Sequence, residues 1–436
     1  MMLFEYKPAS HYYFPQTSHS ISYVRNYSPV FQKLIEPISQ MISEQNQQLP
    51  KHHNQKLDYE QFVTTPLYFF AAYPGGLKLF ITTRLNRGLL PASPGFKPVP
   101  YSTFQEGFSR FPPRLFQAIF QYLVEKLPVK AVPELATLGI LCCADGSIFP
   151  MISSMAWAAY TSQQQAIKLH CIFELNRMIP IDSQIGTGHP SEREALLRMA
   201  QAGVTYIADR GYMSFKLCFQ LSEKQAFFIF RTKTNLIVET VETLDMTLPE
   251  SVRSLFTSIS DCLVRYTNDP NDQIYRLVCF TINREVYAIA TNRLDLATFQ
   301  VVMLYAYRWQ TELLFRYLKR TMAGIHLVHQ NIQGVTIQFY ALLIVALLQL
   351  RFKQQILDNA PKDIDPITTQ KTARRSPAKK RSQKPPSRLD KAGFLQSLGE
   401  SVKTYWKIGI HWLTTLRDLL GRPFDDDATA FSICIS

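Results

Sequence analysis

The sequence predicts an α/β fold, a mixed sheet with helices on its faces. Three observations predict it. Apolar runs of strand length crowd between Thr137 and Leu175. From Ser191 onward, helical and strand patterns alternate. The 436 residues, 46% of them hydrophobic, suffice for a sizeable core and two or three domains.

Residues 1–128 read as a mainly helical, aromatic-rich N-terminal domain, broken by loops near Pro74 and from Pro91 to Pro100. The opening MMLFEYKPAS has no apolar signal segment. Thr103 and Glu106 have capping-box spacing. Pro112-Pro113 is suited to start a helix whose stripe is Phe116, Ile119, Phe120, Leu123, Val124 and Leu127.

Residues 129–352 read as the core. TLGILCCADGSIF (Thr137 to Phe149) predicts a strand over 137–144, a hairpin turn at Asp145-Gly146 and a return strand near 147–155. A third strand, 166–175, completes a meander. Ser191 and Glu194 form a second capping box, opening a helix to about Ala202. Val204 to Ala208 is a short buried strand that stops at Asp209, and a short helix leads to a strand over Ala226 to Arg231. This β-β-β-α-β-α-β order gives a mixed sheet with helices on its faces. Residues 232–288 are rich in short strands, such as Tyr275 to Ile282 and the start of Val286 to Asn292, and interrupt the core. Asp295 is placed to cap a long helix that follows. Phe339 to Leu350 is a core helix, too short to span a bilayer. Residues 353–391 read as a basic disordered linker. Residues 392–436 read as a helical tail with an amphipathic helix near Phe394 to Leu420 and a solvated acidic turn at Asp425 to Asp427.

Net charge is +13, which favours a polyanionic partner. Residues 362–391 hold ten Lys/Arg against three Asp, so more than half of that charge lies in the linker. The segment reads equally as a solubilising spacer or as a nonspecific phosphate-binding tail. Seven cysteines without a Cys-x-x-Cys pair point to a reducing cytoplasm and no zinc site. Cys142 and Cys143 read as core.

The most informative segment is LYAYRWQTELLFRYLKR, with Tyr305, Arg308, Glu312 and Lys319. At about 100° per residue, offsets of 3, 7 and 14 fall within roughly 60° on one helix face. That face carries a carboxylate flanked by a phenol and two cations. Taken singly, Asp145 and Asp209 read as turn acids. Taken with Glu312, they can converge at one edge of a sheet. Hard oxygen ligands of that kind suit Mg²⁺ or Mn²⁺, ions that also bind substrate phosphates.

With these residues in place, the chain resembles the DDE transposases of bacterial insertion sequences, in the family whose signature is Tyr-x2-Arg-x3-Glu-x6-Lys. The match falls without a gap on Tyr305, Arg308, Glu312 and Lys319, with Asp145 in ADGS and Asp209 in ADRGY as the family's aspartates. KLHCIFEL and ATNRLDL are similar in texture, and the resemblance covers about Val129 to Leu350. It implies a ribonuclease-H-like core with a β-rich insertion, and a DNA-binding role for the N-terminal domain. It implies that Asp145, Asp209 and Glu312 hold one or two Mg²⁺ or Mn²⁺ ions. Activated water then frees a 3′-OH at a transposon end, and this attacks a second phosphodiester. Tyr305, Arg308 and Lys319 would contact DNA, and Tyr287, four residues before Thr291, would stack on a flipped base. The partners implied are double-stranded DNA, as transposon ends and target, and a second copy of the chain. The expected place is the bacterial cytoplasm at the nucleoid, with no membrane. A domesticated metal-dependent nuclease and a catalytically silent DNA-binding relic are the two other classes the residues allow.

Overall fold

The computed structural model describes residues 29–359, apart from 52, 73–75, 89, 91–95, 130, 152–154, 159–164, 188–190, 247, 254–255, 283–284 and 322–326. The expectations for the first ten residues, the loops at Pro74 and Pro91, residues 360–391 of the linker, the Phe394 helix and Asp425 to Asp427 lie outside the described residues.

Among the described residues five α-helices come first: α1 (Pro29–Gln48), α2 (Tyr59–Ala72), α3 (Leu77–Phe80), which runs into a π-helical turn, α4 (Tyr101–Arg110) and α5 (Pro113–Lys126). Aromatic packing joins them. Phe62 meets the rings of Phe104, Phe108 and Phe111 at centroid distances of 5.4, 5.0 and 4.9 Å. Gly107 makes this possible, because a Cβ there would lie 2.6 Å from the Phe62 ring. Pro113 starts α5 as predicted. Thr103 and Glu106 do not cap α4, which begins two residues before Thr103, at Tyr101. The lead-in is fixed from elsewhere, by the Asn86 side chain bonded to both the N–H and the C=O of Val99 at 2.9 Å.

The sheet elements are β1 (Ile140–Pro150), β2 (Ala166–Glu174), β3 (Ile179–Thr187), α6 (Glu192–Met199), β4 (Val204–Ala208), α7 (Phe215–Glu223) and β5 (Phe227–Arg231). Then come β6 (Val238–Thr243), α8 (Glu250–Arg253), β7 (Ser258–Tyr266), β8 (Ile274–Ile282) and β9 (Glu285–Thr291). α9 (Thr298–Tyr307), α10 (Trp309–Arg316), a π-helical turn (Tyr317–Thr321) and α11 (Ile332–Asn359) complete the described chain. The nine strands form one mixed sheet in the order β3-β2-β1-β4-β5-β9-β8-β7-β6. β4 runs parallel to β1 and β5, and the other pairings are antiparallel.

Alternation along β1 sets the layers. Leu141 and Cys143 point into the core that holds Phe120 of α5, Val301 of α9 and Leu342 of α11. Cys142 and Ala144 point the other way, to Leu196 of α6 and Leu217 of α7. The helices from Phe31 to Phe120 share the first of these cores with α11.

Several local expectations are corrected. Asp145-Gly146 is not a hairpin turn: β1 runs straight through it, with Asp145 opposite Cys171 and Gly146 opposite His170. The glycine answers a packing demand, since a Cβ there would lie 2.9 Å from Lys168 Cε and 3.2 Å from Glu192 Oε1. The third strand of the meander is β3, where the sequence reading had placed two strands before residue 156. Ser191 stands at the N-cap of α6 without a side-chain capping bond. Asp295 does not cap α9: it is engaged by Arg293, and the helix starts after Ala297, whose N–H is accepted by Gln300 Oε1 at 2.8 Å. Phe339 to Leu350 belongs to a helix of 28 residues that runs on into the segment read as linker. By length and composition, 24 residues of it could cross a membrane, but 78% of that apolar window is buried inside the fold. Every residue from Ile337 to Gln349 is buried, as expected for a helix enclosed on all sides.

Candidate active site

β1 carries Asp145 on the side that faces α10. β4 ends at Ala208, and Asp209 follows it at the same sheet edge. α10 brings Glu312. All three carboxylates line one pocket of about 570 Å³. Tyr305, Arg308 and Lys319 line it too, with Arg210, Arg231, Phe315 and Arg316. The helix that supplies the four signature residues is not regular. It tightens at Arg308, where Arg308 N–H donates to Tyr305 O at 3.2 Å and Thr311 N–H to Arg308 O at 3.1 Å. It then widens into the π-helical turn that holds Lys319.

Arg308 lies between two of the acids. Its Nη2 is 3.0 Å from Glu312 Oε1 and its Nη1 is 3.5 Å from Asp145 Oδ2. The Thr311 hydroxyl donates to Asp145 Oδ2 at 2.8 Å, and Gly146 N–H to Asp145 Oδ1 at 2.8 Å. Burial pushes the Asp145 carboxyl above its ordinary range. Arg308, Thr311 and the Gly146 N–H pull it back only in part, and the charge of Asp209 adds to the rise. Burial works against the Arg308 charge, but Tyr305, Asp145 and Glu312 outweigh it and hold the guanidinium firmly protonated. With Arg308 drawn between the carboxylates, no group of three or more His, Cys, Asp or Glu side chains among the described residues is gathered closely enough to hold a metal ion.

Asp209 is fixed by its own loop, where Gly211 N–H donates to Oδ1 at 2.8 Å. A Cβ at Gly211 would lie 3.1 Å from both that oxygen and Glu192 Oε2. Lys319 Nζ sits 4.8 Å from the centre of the Phe149 ring, and burial lowers its pKa. Tyr287 is brought near the pocket but does not line it. Its ring stacks on Phe280 at 5.0 Å and 10°, with the Arg231 guanidinium 4.4 Å from its centre.

Sequence reasoning missed Thr311 and Arg231. Thr311 carried only a weak signal, one residue before Glu312. Arg231 closes β5 at the same sheet edge where β4 gives way to Asp209, so the strand-end argument applied to Asp209 would have found it.

Residues 138–348 match the family model described as Transposase DDE domain. The chain carries a DDE transposase domain. The matched stretch begins just before β1 and ends within α11, so it contains both aspartates and the whole signature helix. The chain is 25% identical over 266 residues to a provisionally named transposase, y4zB, of Sinorhizobium fredii, a match covering 60% of this chain and 72% of that protein. It is 22% identical over 169 residues to a provisionally named transposase for insertion sequence element IS5377 of Geobacillus stearothermophilus, covering 38% of this chain and 44% of that protein.

Proposed function

We propose that this transposase cuts DNA at transposon ends with Asp145, Asp209 and Glu312, and joins the freed 3′-OH to a second phosphodiester. One observation carries the reading: three carboxylates on three different elements line a single pocket that five cationic side chains also line. The donor set fits a hard divalent cation, because all three acids offer oxygen and burial leaves Asp145 poorly solvated. Held by Asp145, Asp209 and Glu312, Mg²⁺ or Mn²⁺ would supply charge neutralisation at the phosphate and activation of the attacking oxygen.

The chain's own residues do the positioning. Arg308 and the Thr311 hydroxyl hold the Asp145 and Glu312 carboxylates in a fixed relation before substrate arrives. Arg210, Arg316 and Lys319 line the same pocket and would take successive phosphates of the double-stranded end, keeping the scissile bond in line for attack. Tyr305, beneath Arg308, shapes the floor. Tyr287 would offer its ring to a flipped base at the joining step. Its stacking on Phe280 supports a packing role as well, and unequal slowing of joining over nicking in Tyr287→Ala separates the two.

The antiparallel β1–β3 meander with β4 and β5 parallel to β1 supports a ribonuclease-H-like core, with residues 232–288 as its β-rich insertion. The N-terminal region up to residue 128 would serve end binding, and two copies would act together on paired ends in the bacterial nucleoid. The test is cleavage and joining of a labelled duplex carrying the inverted repeat that flanks the coding sequence. Asp145→Asn, Asp209→Asn and Glu312→Gln should each retain end binding and lose cleavage. A variant that keeps more than about a tenth of the rate removes its residue from the site. Cleavage without joining in the unaltered protein would make it a nuclease.

A further inference from the structure

The elements that carry the three acids meet again at their other ends, around two buried arginines. Arg276 on β8 makes a two-pronged pair with Asp261 on β7, Nε to Oδ1 at 2.9 Å and Nη2 to Oδ2 at 2.6 Å. Both side chains are almost completely buried, at 4% and 0% exposure. The remaining nitrogen of Arg276, Nη1, donates to the carbonyls of Arg293 and Leu296, in the segment that leads into α9. The Thr298 hydroxyl, at the first residue of α9, donates to Asp261 Oδ2 at 2.8 Å.

Arg293 makes the second set of connections. Its guanidinium donates to Leu138 O at 3.2 Å, just before β1, and to Thr205 Oγ1 on β4. Asp295 holds it in orientation through two contacts of 2.7 Å. One continuous network therefore touches the root of β1, which carries Asp145, the root of β4, which leads to Asp209, and the start of the helical run that carries Glu312. It also reaches the strands between β5 and that helix.

A buried ion pair is a poor way to gain stability, since apolar residues of equal size often do as well or better. What a two-pronged pair with every guanidinium nitrogen hydrogen-bonded does provide is a single geometry. We propose that Asp261, Arg276, Thr298 and Arg293 form a positioning hub that sets the register of the Glu312 helix against the two aspartate strands. The proposal rests on the reading of Asp145, Asp209 and Glu312 as the reacting carboxylates. The hub touches no substrate. It acts on the rate through the helix and leaves the phosphate-binding face alone.

The test uses the full chain and the labelled inverted-repeat duplex in Mg²⁺, with single-turnover cleavage, duplex affinity and thermal midpoint measured on each variant. Thr298→Val keeps shape and removes the hydroxyl bond between α9 and Asp261. It should slow cleavage by ~10-fold or more, since small misplacements of catalytic groups are costly, while duplex affinity stays within ~2-fold. Thr298→Ser restores the hydroxyl and should restore the rate. Arg276→Lys keeps the charge without the fork and should behave as Thr298→Val does. A Thr298→Val protein with a lowered thermal midpoint and an unchanged cleavage rate would overturn the hub, as would failure of Thr298→Ser to restore the rate. Glu312→Gln is run beside them. If it cuts normally, the site reading falls and the hub with it. If it is dead while Thr298→Val and Arg276→Lys are normal, the hub alone falls.

Discussion

Arg308 decides the character of the pocket at the scale of single residues. A guanidinium paired with both Asp145 and Glu312 is held by those carboxylates, whereas the Lys319 ammonium rests on the Phe149 ring in the same pocket. Arg308→Ala should therefore reduce cleavage by about 10²-fold, the scale of losing a preorganised charge, with little change in the salt dependence of binding. Lys319→Ala should lower the salt slope of end binding by about one, as loss of one phosphate contact does. Binding isotherms over a range of salt, beside single-turnover rates, check both. Asp145 gives a pH prediction. Its carboxyl is raised by burial, so the ionised form needed for a cation ligand is lost on acidification earlier than for an ordinary aspartate. Thr311→Val removes a bond that favours the ionised form, and the acid limb of the pH–rate profile should move to still higher pH. An unmoved limb would detach Asp145 from the titration.

At the scale of elements, legibility followed the range of the forces. β4 was readable because five apolar residues in a row stop at an acid, a local signal that needs no partner. The sequence reading groups Asp145 with Asp209 and Glu312 but sets it in a turn, where the fold has it in mid-strand. Asp-Gly is a turn signal by local rules; pairing with β2 carries the strand through it, and the space a Cβ at 146 would need is taken by Lys168 and Glu192, both distant in sequence. β3 was missed because IPIDSQIGT mixes polar and apolar residues. The core run is read as starting at Phe339 because Gln338 looks like a surface residue; in the fold Gln338 is buried and accepts from Val328 N–H, as Gln349 inside the run accepts from the Tyr317 hydroxyl. The Gly146 argument can be checked. Gly146→Ala must displace Lys168 from Glu192, and overpacking of this kind should lower stability by about 1–3 kcal/mol in urea unfolding. No loss would mean that the lysine moves aside freely.

At the scale of the whole molecule, His170 ties stability to pH. Burial, helped by Lys168 and Arg198, lowers its pKa from 6.5 to about 4, and neither ring nitrogen has a hydrogen-bond partner among the described residues. Between these values the unfolded chain binds more protons than the folded one, so stability rises with pH. The contribution is fully present above 6.5 and is lost as pH falls towards 4. The thermal midpoint should drop across that window, and His170→Leu should flatten this part of the curve. An unaltered slope in the variant would place the titration elsewhere. The enclosure of α11 has its own consequence for how the protein comes into being. Residues 332–359 are made after the sheet and after helices α1 to α5, yet they lie in the core that those first helices share. Without α11 the faces of α2 and α5 that pack on it would lie open, so a chain stopped before residue 332 should be more readily cut by protease and more prone to aggregate than the full chain.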